Sequence, residues 1–189
     1  SPESVKLAKT IADESPVLLK NENQLLPLDA KSLKSIAIIG PNADQVQFGD
    51  YTWSRNNKDG VTPLQGIKNR VNKNTAIHYA KGCSLTSLDT SGIAEAVEAA
   101  KNSEVAVIFG GSASAALARD YKSSTCGEGF DLNDLNLTGA QSQLIREVYR
   151  TGTPVILVLV TGKPFVIEWE KNNLPAILVQ WYAGEQAGN

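Results

Sequence analysis

Apolar positions along this chain change period several times, and the changes mark out alternating helices and strands. Over Glu3–Glu14, the residues Val5, Leu7, Ala8, Ile11 and Ala12 fall on one side of a helix, and Pro16 closes it. Val17-Leu18-Leu19 continues as a short extended segment. Strands are expected at Ser35–Ile39, Ala76–Tyr79, Val105–Phe109, Val155–Val160 and Ala176–Trp181. Val155–Val160 is apolar at every position, the pattern of a strand buried on both faces of a sheet. Helices are expected between the strands at Pro63–Val71, Gly92–Lys101, Ala140–Arg150 and Phe165–Lys171. Thr62 and Thr138 are read as helix caps, and Pro63 suits a first helical position.

Alternation of this kind calls for a parallel sheet covered by helices. The expected fold is therefore α/β: a three-layer α/β/α sandwich around a mostly parallel five- to six-stranded sheet. The sequence stops at Gly184-Glu185-Gln186-Ala187-Gly188-Asn189, where another helix is expected to begin, so the chain reads as a piece of a longer protein lacking its final helix. Residues 1–30 read as a linker and lead-in helix, and residues 31–189 as the sandwich domain.

Composition narrows the function. A chain of 189 residues suits one such domain, burying roughly 70% of its unfolded surface. The 18 Lys and Arg against 20 Asp and Glu leave no phosphate-tracking surface, so nucleic acid is not an expected partner. No apolar run approaches the roughly 20 residues that span a bilayer, so no membrane partner is expected. Cys83 and Cys126 are too few for a disulfide framework and form no CxxC pair. His78, the only histidine, lies inside an expected strand and reads as structural. A single histidine removes the main support for Ser-His-Asp chemistry and for a His-rich metal site. No metal or cofactor is expected. Ser1-Pro2-Glu3-Ser4 lacks the make-up of a signal peptide.

The most informative polar segment lies between the Val105–Phe109 strand and the helix near Thr138. It contains Gly127-Glu128-Gly129-Phe130-Asp131, a carboxylate flanked by glycines beyond the C-terminal end of a strand. Open α/β sheets place their ligand chemistry there, and glycines let the backbone come close to a bound molecule. The plain alternative is a solvated surface loop. Phe48-Gly49-Asp50-Tyr51-Thr52-Trp53 follows the first strand's turn on the same edge. Tyr51 and Trp53 can offer flat faces to a sugar's C–H surface, or can simply cover the core with their polar ends wet.

Nucleotide binding finds little support. Ile36-Ala37-Ile38-Ile39-Gly40-Pro41-Asn42-Ala43-Asp44 has the outline of a dinucleotide-binding turn but lacks G-x-G-x-x-G, and Pro41 removes a backbone N–H. Gly162-Lys163-Pro164 is not a P-loop. Asn136-Leu137-Thr138 fits a glycosylation pattern that a capping Thr138 explains equally well.

Several segments, taken in order, resemble the C-terminal α/β-sandwich domain of family 3 glycoside hydrolases, the β-glucosidases and β-xylosidases. They are Ser15–Asn21 with Leu25–Leu28, Ile36–Asp44, Gly49-Asp50-Tyr51 and Thr62–Ile67. Tyr79–Cys83, Gly127–Asp131, Leu135-Asn136-Leu137 with Gln141, Gly162-Lys163-Pro164 and Trp181–Gly188 complete the set. Their order and spacing cover nearly the whole chain.

The resemblance implies a retaining exo-β-glycosidase of two domains, acting on terminal β-D-glucosyl or β-D-xylosyl residues. An N-terminal (β/α)8 barrel, absent here, supplies the aspartate nucleophile and most sugar contacts, and the sandwich domain supplies the general acid/base. Glu128 matches that acid/base. Tyr51 or Trp53 corresponds to an aromatic near the leaving-group site, and Asp131 is a further candidate for substrate binding. Leu132 stands where many relatives carry arginine, which puts any ion pair by that arginine in doubt. Retaining hydrolysis needs two carboxyl groups about 5–5.5 Å apart, one of them protonated at the start. Without the nucleophile, the chain alone is expected to be inactive. A periplasmic or secreted parent is likewise implied only by the resemblance. The competing readings are a non-catalytic carbohydrate-binding or structural domain of the same fold and, third, a flavodoxin-like small-molecule-binding domain.

Overall fold

The computed structural model describes residues 1–54, 56–114, 125–128 and 133–189. In chain order the described elements are α1 (Pro2–Glu14), β1 (Val17–Asn21), β2 (Ser35–Ile39), α2 (Pro63–Arg70) and β3 (Ala76–Ala80). They continue with α3 (Ile93–Lys101), β4 (Val105–Gly111), α4 (Gln141–Tyr149), β5 (Val155–Val160), α5 (Glu168–Asn173) and β6 (Ala176–Val179). The six strands form one sheet in the order β1-β6-β5-β4-β2-β3. All neighbours are parallel except β1, which pairs antiparallel with β6 at the edge. The fold is the expected α/β class.

Apolar strand residues divide between two faces as the pleat requires. Ala37, Ile39, Ala106, Ile108 and Leu157 pack with Ala96, Ala100, Leu144 and Val148 from α3 and α4, with Trp169 of α5 against them. Ile36, Ile38, Val107 and Phe109 face the other way, toward Leu64 of α2 and the lead-in residues Leu26, Leu28 and Leu33. That second face is less completely roofed. A groove of about 570 Å³ runs over Phe109, Val158 and Leu178, and another of about 460 Å³ adjoins it over Val107 and Ile156.

Several expectations are corrected. The helix expected at 3–14 is present as α1, and its stripe is exposed: Val5, Leu7 and Ile11 are 50%, 61% and 60% exposed. The helix lies off the sheet beside the 3₁₀ turn Gly184–Gln186, and an amphipathic period does not say which surface, if any, covers it. Thr62 does cap α2, accepting from the Gln65 N–H. Thr138 does not cap α4; Ala140 holds that position, and the Thr138 hydroxyl donates to the Leu85 carbonyl at 2.7 Å. The fourth expected helix starts at Glu168 rather than Phe165, because the Val166 N–H donates instead to the Leu135 carbonyl. β6 ends at Val179, and Trp181 turns into a left-handed conformation, with φ 58°. Among the described residues no helix is long and apolar enough to cross a membrane.

Candidate active site

The strand order reverses between β2 and β4. The chain leaves β2 toward β3 through α2 on one face, and leaves β4 toward β5 through α4 on the other. Loops that diverge from neighbouring parallel strands open a crevice at their carboxyl ends, the usual ligand position in such sheets. The two polar loops singled out in the sequence are the ones that start there.

Beyond β2 the chain bends at Gly40, whose φ is 114°. A Cβ at this position would lie 2.3 Å from the Phe109 carbonyl oxygen, so only glycine allows the approach. Asn42, fully buried, then donates from its backbone to Phe109 O at 3.1 Å and from its amide to Gly110 O at 3.2 Å. Gln47 donates to Asn42 Oδ1 at 2.8 Å. A polar ladder therefore fastens the first part of this loop to β4, and buried Phe48 carries it to Asp50.

Beyond β4, Ser112–Ser114 is fastened to Thr125–Cys126. The Thr125 N–H donates to Ala113 O at 2.9 Å, the Ala113 N–H to Thr125 Oγ1 at 3.1 Å, and Ser114 and Cys126 form a parallel bridge. Beneath them lies a compact polar cluster. The Tyr182 hydroxyl shares hydrogen bonds with Ser112 Oγ at 2.6 Å and Cys126 Sγ at 2.8 Å, and Ser112 Oγ reaches Thr161 Oγ1 at 2.9 Å. Burial, and then the bond to Cys126, push the Tyr182 phenol well above its ordinary value, so it stays a neutral hydroxyl. Lys163 is also buried, with its Nζ over the Phe165 ring at 4.8 Å and no hydrogen-bond partner among the described residues. Burial lowers its pKa.

The two loops meet at Glu128, whose backbone N–H donates to Asp50 Oδ2 at 2.8 Å. The Glu128 side chain is exposed, and no described residue hydrogen-bonds its carboxylate. Next to Asp50, Tyr51 adopts a left-handed φ of 62° and is 72% exposed, while Trp53 is 81% exposed. Neither aromatic covers the core. Glu128 and the Tyr51–Trp53 loop thus come together, whereas the expectations for Asp131 and Leu132 lie outside the described residues. Among the described residues no three His, Cys, Asp or Glu side chains cluster as metal ligands.

Sequence reasoning gave no role to Asp50, Ser112, Cys126 or Tyr182. Asp50 and Tyr182 sit inside the quoted segments Gly49-Asp50-Tyr51 and Trp181–Gly188, a signal that marks the region without naming the contact.

These features define an open, doubly wound α/β domain that offers an exposed carboxylate and two exposed aromatic rings at its switch-point edge. The chain belongs to the glycosyl hydrolase family 3 C-terminal domain family, which it matches over residues 16–189. It is 40% identical to a beta-xylosidase of Formosa agariphila, covering 97% of this chain and 25% of that protein. It is 36% identical to a periplasmic beta-glucosidase of Salmonella typhimurium, covering 97% of this chain and 26% of that protein. The fold superposes on a β-glucosidase from Erythrobacter marinus with a TM-score of 0.82 at 32% identity, over 100% of this chain and 27% of that one. A family 3 beta-glucosidase from Bifidobacterium adolescentis gives 0.78 at 27% identity, over 99% and 26%. The chain spans about a quarter of the length of these relatives.

Proposed function

We propose that this chain is the second domain of a retaining exo-β-glycosidase acting on terminal β-D-glucosyl or β-D-xylosyl residues, with Glu128 as its general acid/base. The observation that carries the reading is the placement of Glu128. Its carboxylate is exposed at the crevice edge and uncommitted to any described residue, while its backbone is held by Asp50. Such a group can reach a substrate bound by a facing domain, give a proton to the departing oxygen, and take one from the water that releases the sugar. The nucleophile belongs to an N-terminal barrel outside this chain. Tyr51 or Trp53 stacks on the leaving group, and Asp131 is a further substrate-binding residue. A periplasmic or secreted location goes with the same reading, since one relative carries the name periplasmic beta-glucosidase.

The test compares wild type with Glu128→Ala in the full-length enzyme on β-glucosides and β-xylosides that carry either an activated aryl or a poor leaving group. The expected result is strong wild-type activity that the substitution removes for poor leaving groups and spares for activated ones, or restores with azide. Equal loss on both substrate types would remove the acid/base assignment.

The exposed Tyr51 and Trp53 also suit a non-catalytic carbohydrate-binding domain. Saturable fluorescence titration of the chain by glucose, xylose or cellobiose, alongside an inactive but folded parent, would favour that reading.

A further inference from the structure

We infer that Asp50 is a positioning residue for Glu128: its carboxylate holds the peptide that aims the Glu128 side chain into the crevice. The inference rests on the acid/base reading of Glu128 and adds the group that orients it.

The argument starts from the backbone on either side of Gly127. Before it, Cys126 is fixed by the Tyr182–Ser112 cluster and by its bridge to Ser114. Gly127 itself has φ 127°, a conformation open to glycine and strained for other residues. It is a pivot, and local geometry alone does not set the direction of the peptide that follows. The contact that does set it is the Glu128 N–H to Asp50 Oδ2 bond at 2.8 Å, which joins residues 78 apart in sequence. A carboxylate acceptor makes this a charge-assisted bond, stronger than one to a neutral oxygen. Asp50 is in turn carried on the loop that Asn42 and Gln47 fasten to β4. Both anchors of the Glu128 peptide among the described residues therefore go back to the sheet. Because Asp50 touches the backbone of Glu128, it need not touch substrate.

Loss of such an anchor misplaces a reacting group by a fraction of a bond length to an ångström, which costs up to about 100-fold in rate. The deficit should have the signature of a misplaced proton donor. In the full-length enzyme, Asp50→Ala should lower kcat about 10- to 100-fold on a disaccharide or alkyl glycoside, with KM changed less than about threefold. On an activated aryl glycoside it should leave kcat/KM nearly unchanged, because that leaving group departs without a proton donor, while kcat falls with the base-assisted release step. Asp50→Asn, which keeps an oxygen acceptor, should restore most of what Asp50→Ala loses. In a Glu128→Ala background Asp50→Ala should add little.

Thermal melts establish that each variant is folded, and Asp50→Leu replaces Asp50→Ala if the latter is not. If Glu128→Ala is selective for poor leaving groups while Asp50→Ala slows all substrates equally, the positioning role is overturned and the acid/base reading stands. The same holds if Asp50→Asn is as impaired as Asp50→Ala. If Glu128→Ala itself shows no leaving-group selectivity, both fall together.

Discussion

Tyr182 and Cys126, 56 residues apart in the chain, meet through a 2.8 Å hydrogen bond between hydroxyl and thiol. The same hydroxyl reaches Ser112 Oγ at 2.6 Å, so one phenol ties the chain beyond β6 to both arms of the loop beyond β4. Tyr182→Phe keeps the ring and leaves two buried polar groups short of a partner. The expected loss is about 1–3 kcal/mol, read as a lower urea midpoint at unchanged slope. An unchanged midpoint would mean the cluster contributes nothing to the loop's anchoring.

Gly66 in α2 packs against the backbone near the C-terminus. A Cβ at 66 would lie 1.6 Å from the Gly188 carbonyl oxygen, and one at 188 would lie 2.1 Å from Thr62 O. Alanine is the better helix former by about 1 kcal/mol, but forced overpacking costs about 1–3 kcal/mol or more, and here the clash is with backbone. Gly66→Ala in the whole enzyme should therefore be net destabilising by about 2 kcal/mol, measured by its melting temperature. A stabilised variant would show that residue 188 gives way freely.

Burial pushes the Cys83 thiol from 9.0 up to about 11. In the unfolded chain the thiol loses its proton first, so between those values the folded state binds more protons. Its contribution is fully present below pH 9 and is lost as pH rises toward 11. The two-unit difference bounds the effect at roughly 3 kcal/mol. Cys83→Ala should lower stability at neutral pH and flatten the decline between pH 9 and 11, as seen in denaturation series across that range. A slope equal to wild type would assign the decline to other groups.

The isolated chain should show no turnover of aryl β-glycosides, because the proposed nucleophile lies outside it. Turnover that Glu128→Gln abolishes would put the whole site within these residues and overturn the two-domain proposal.

Much of the sheet is legible in the sequence because its central strands are buried on both sides. Ile36–Ile39, Val105–Phe109 and Val155–Val160 are runs that few other environments accept. Helix signals were less complete. Thr62 capped as its position implies, whereas Thr138 found a carbonyl from another loop, a choice that tertiary packing makes. The stripe on α1 gave the helix without its neighbour. Glu128 stood out through its flanking glycines and a family resemblance. Asp50 did not, because its partner lies 78 residues away and no local period records such a contact.

The antiparallel pairing of β1 with β6 joins Val17–Asn21 to Ala176–Val179, the first described strand to the last described one. In sequence, all the other described strands lie between these two partners. Closing so long a loop costs entropy that grows only slowly with length, and non-local pairing of this kind is slow to form. On the ribosome, β1 emerges well before β6, its sheet neighbour among the described residues. Until residues 176–179 arrive, Val17, Leu18 and Leu19 are an unpaired apolar edge, open to the wrong strand. The vulnerable interval of this edge during synthesis is set by the position of β6.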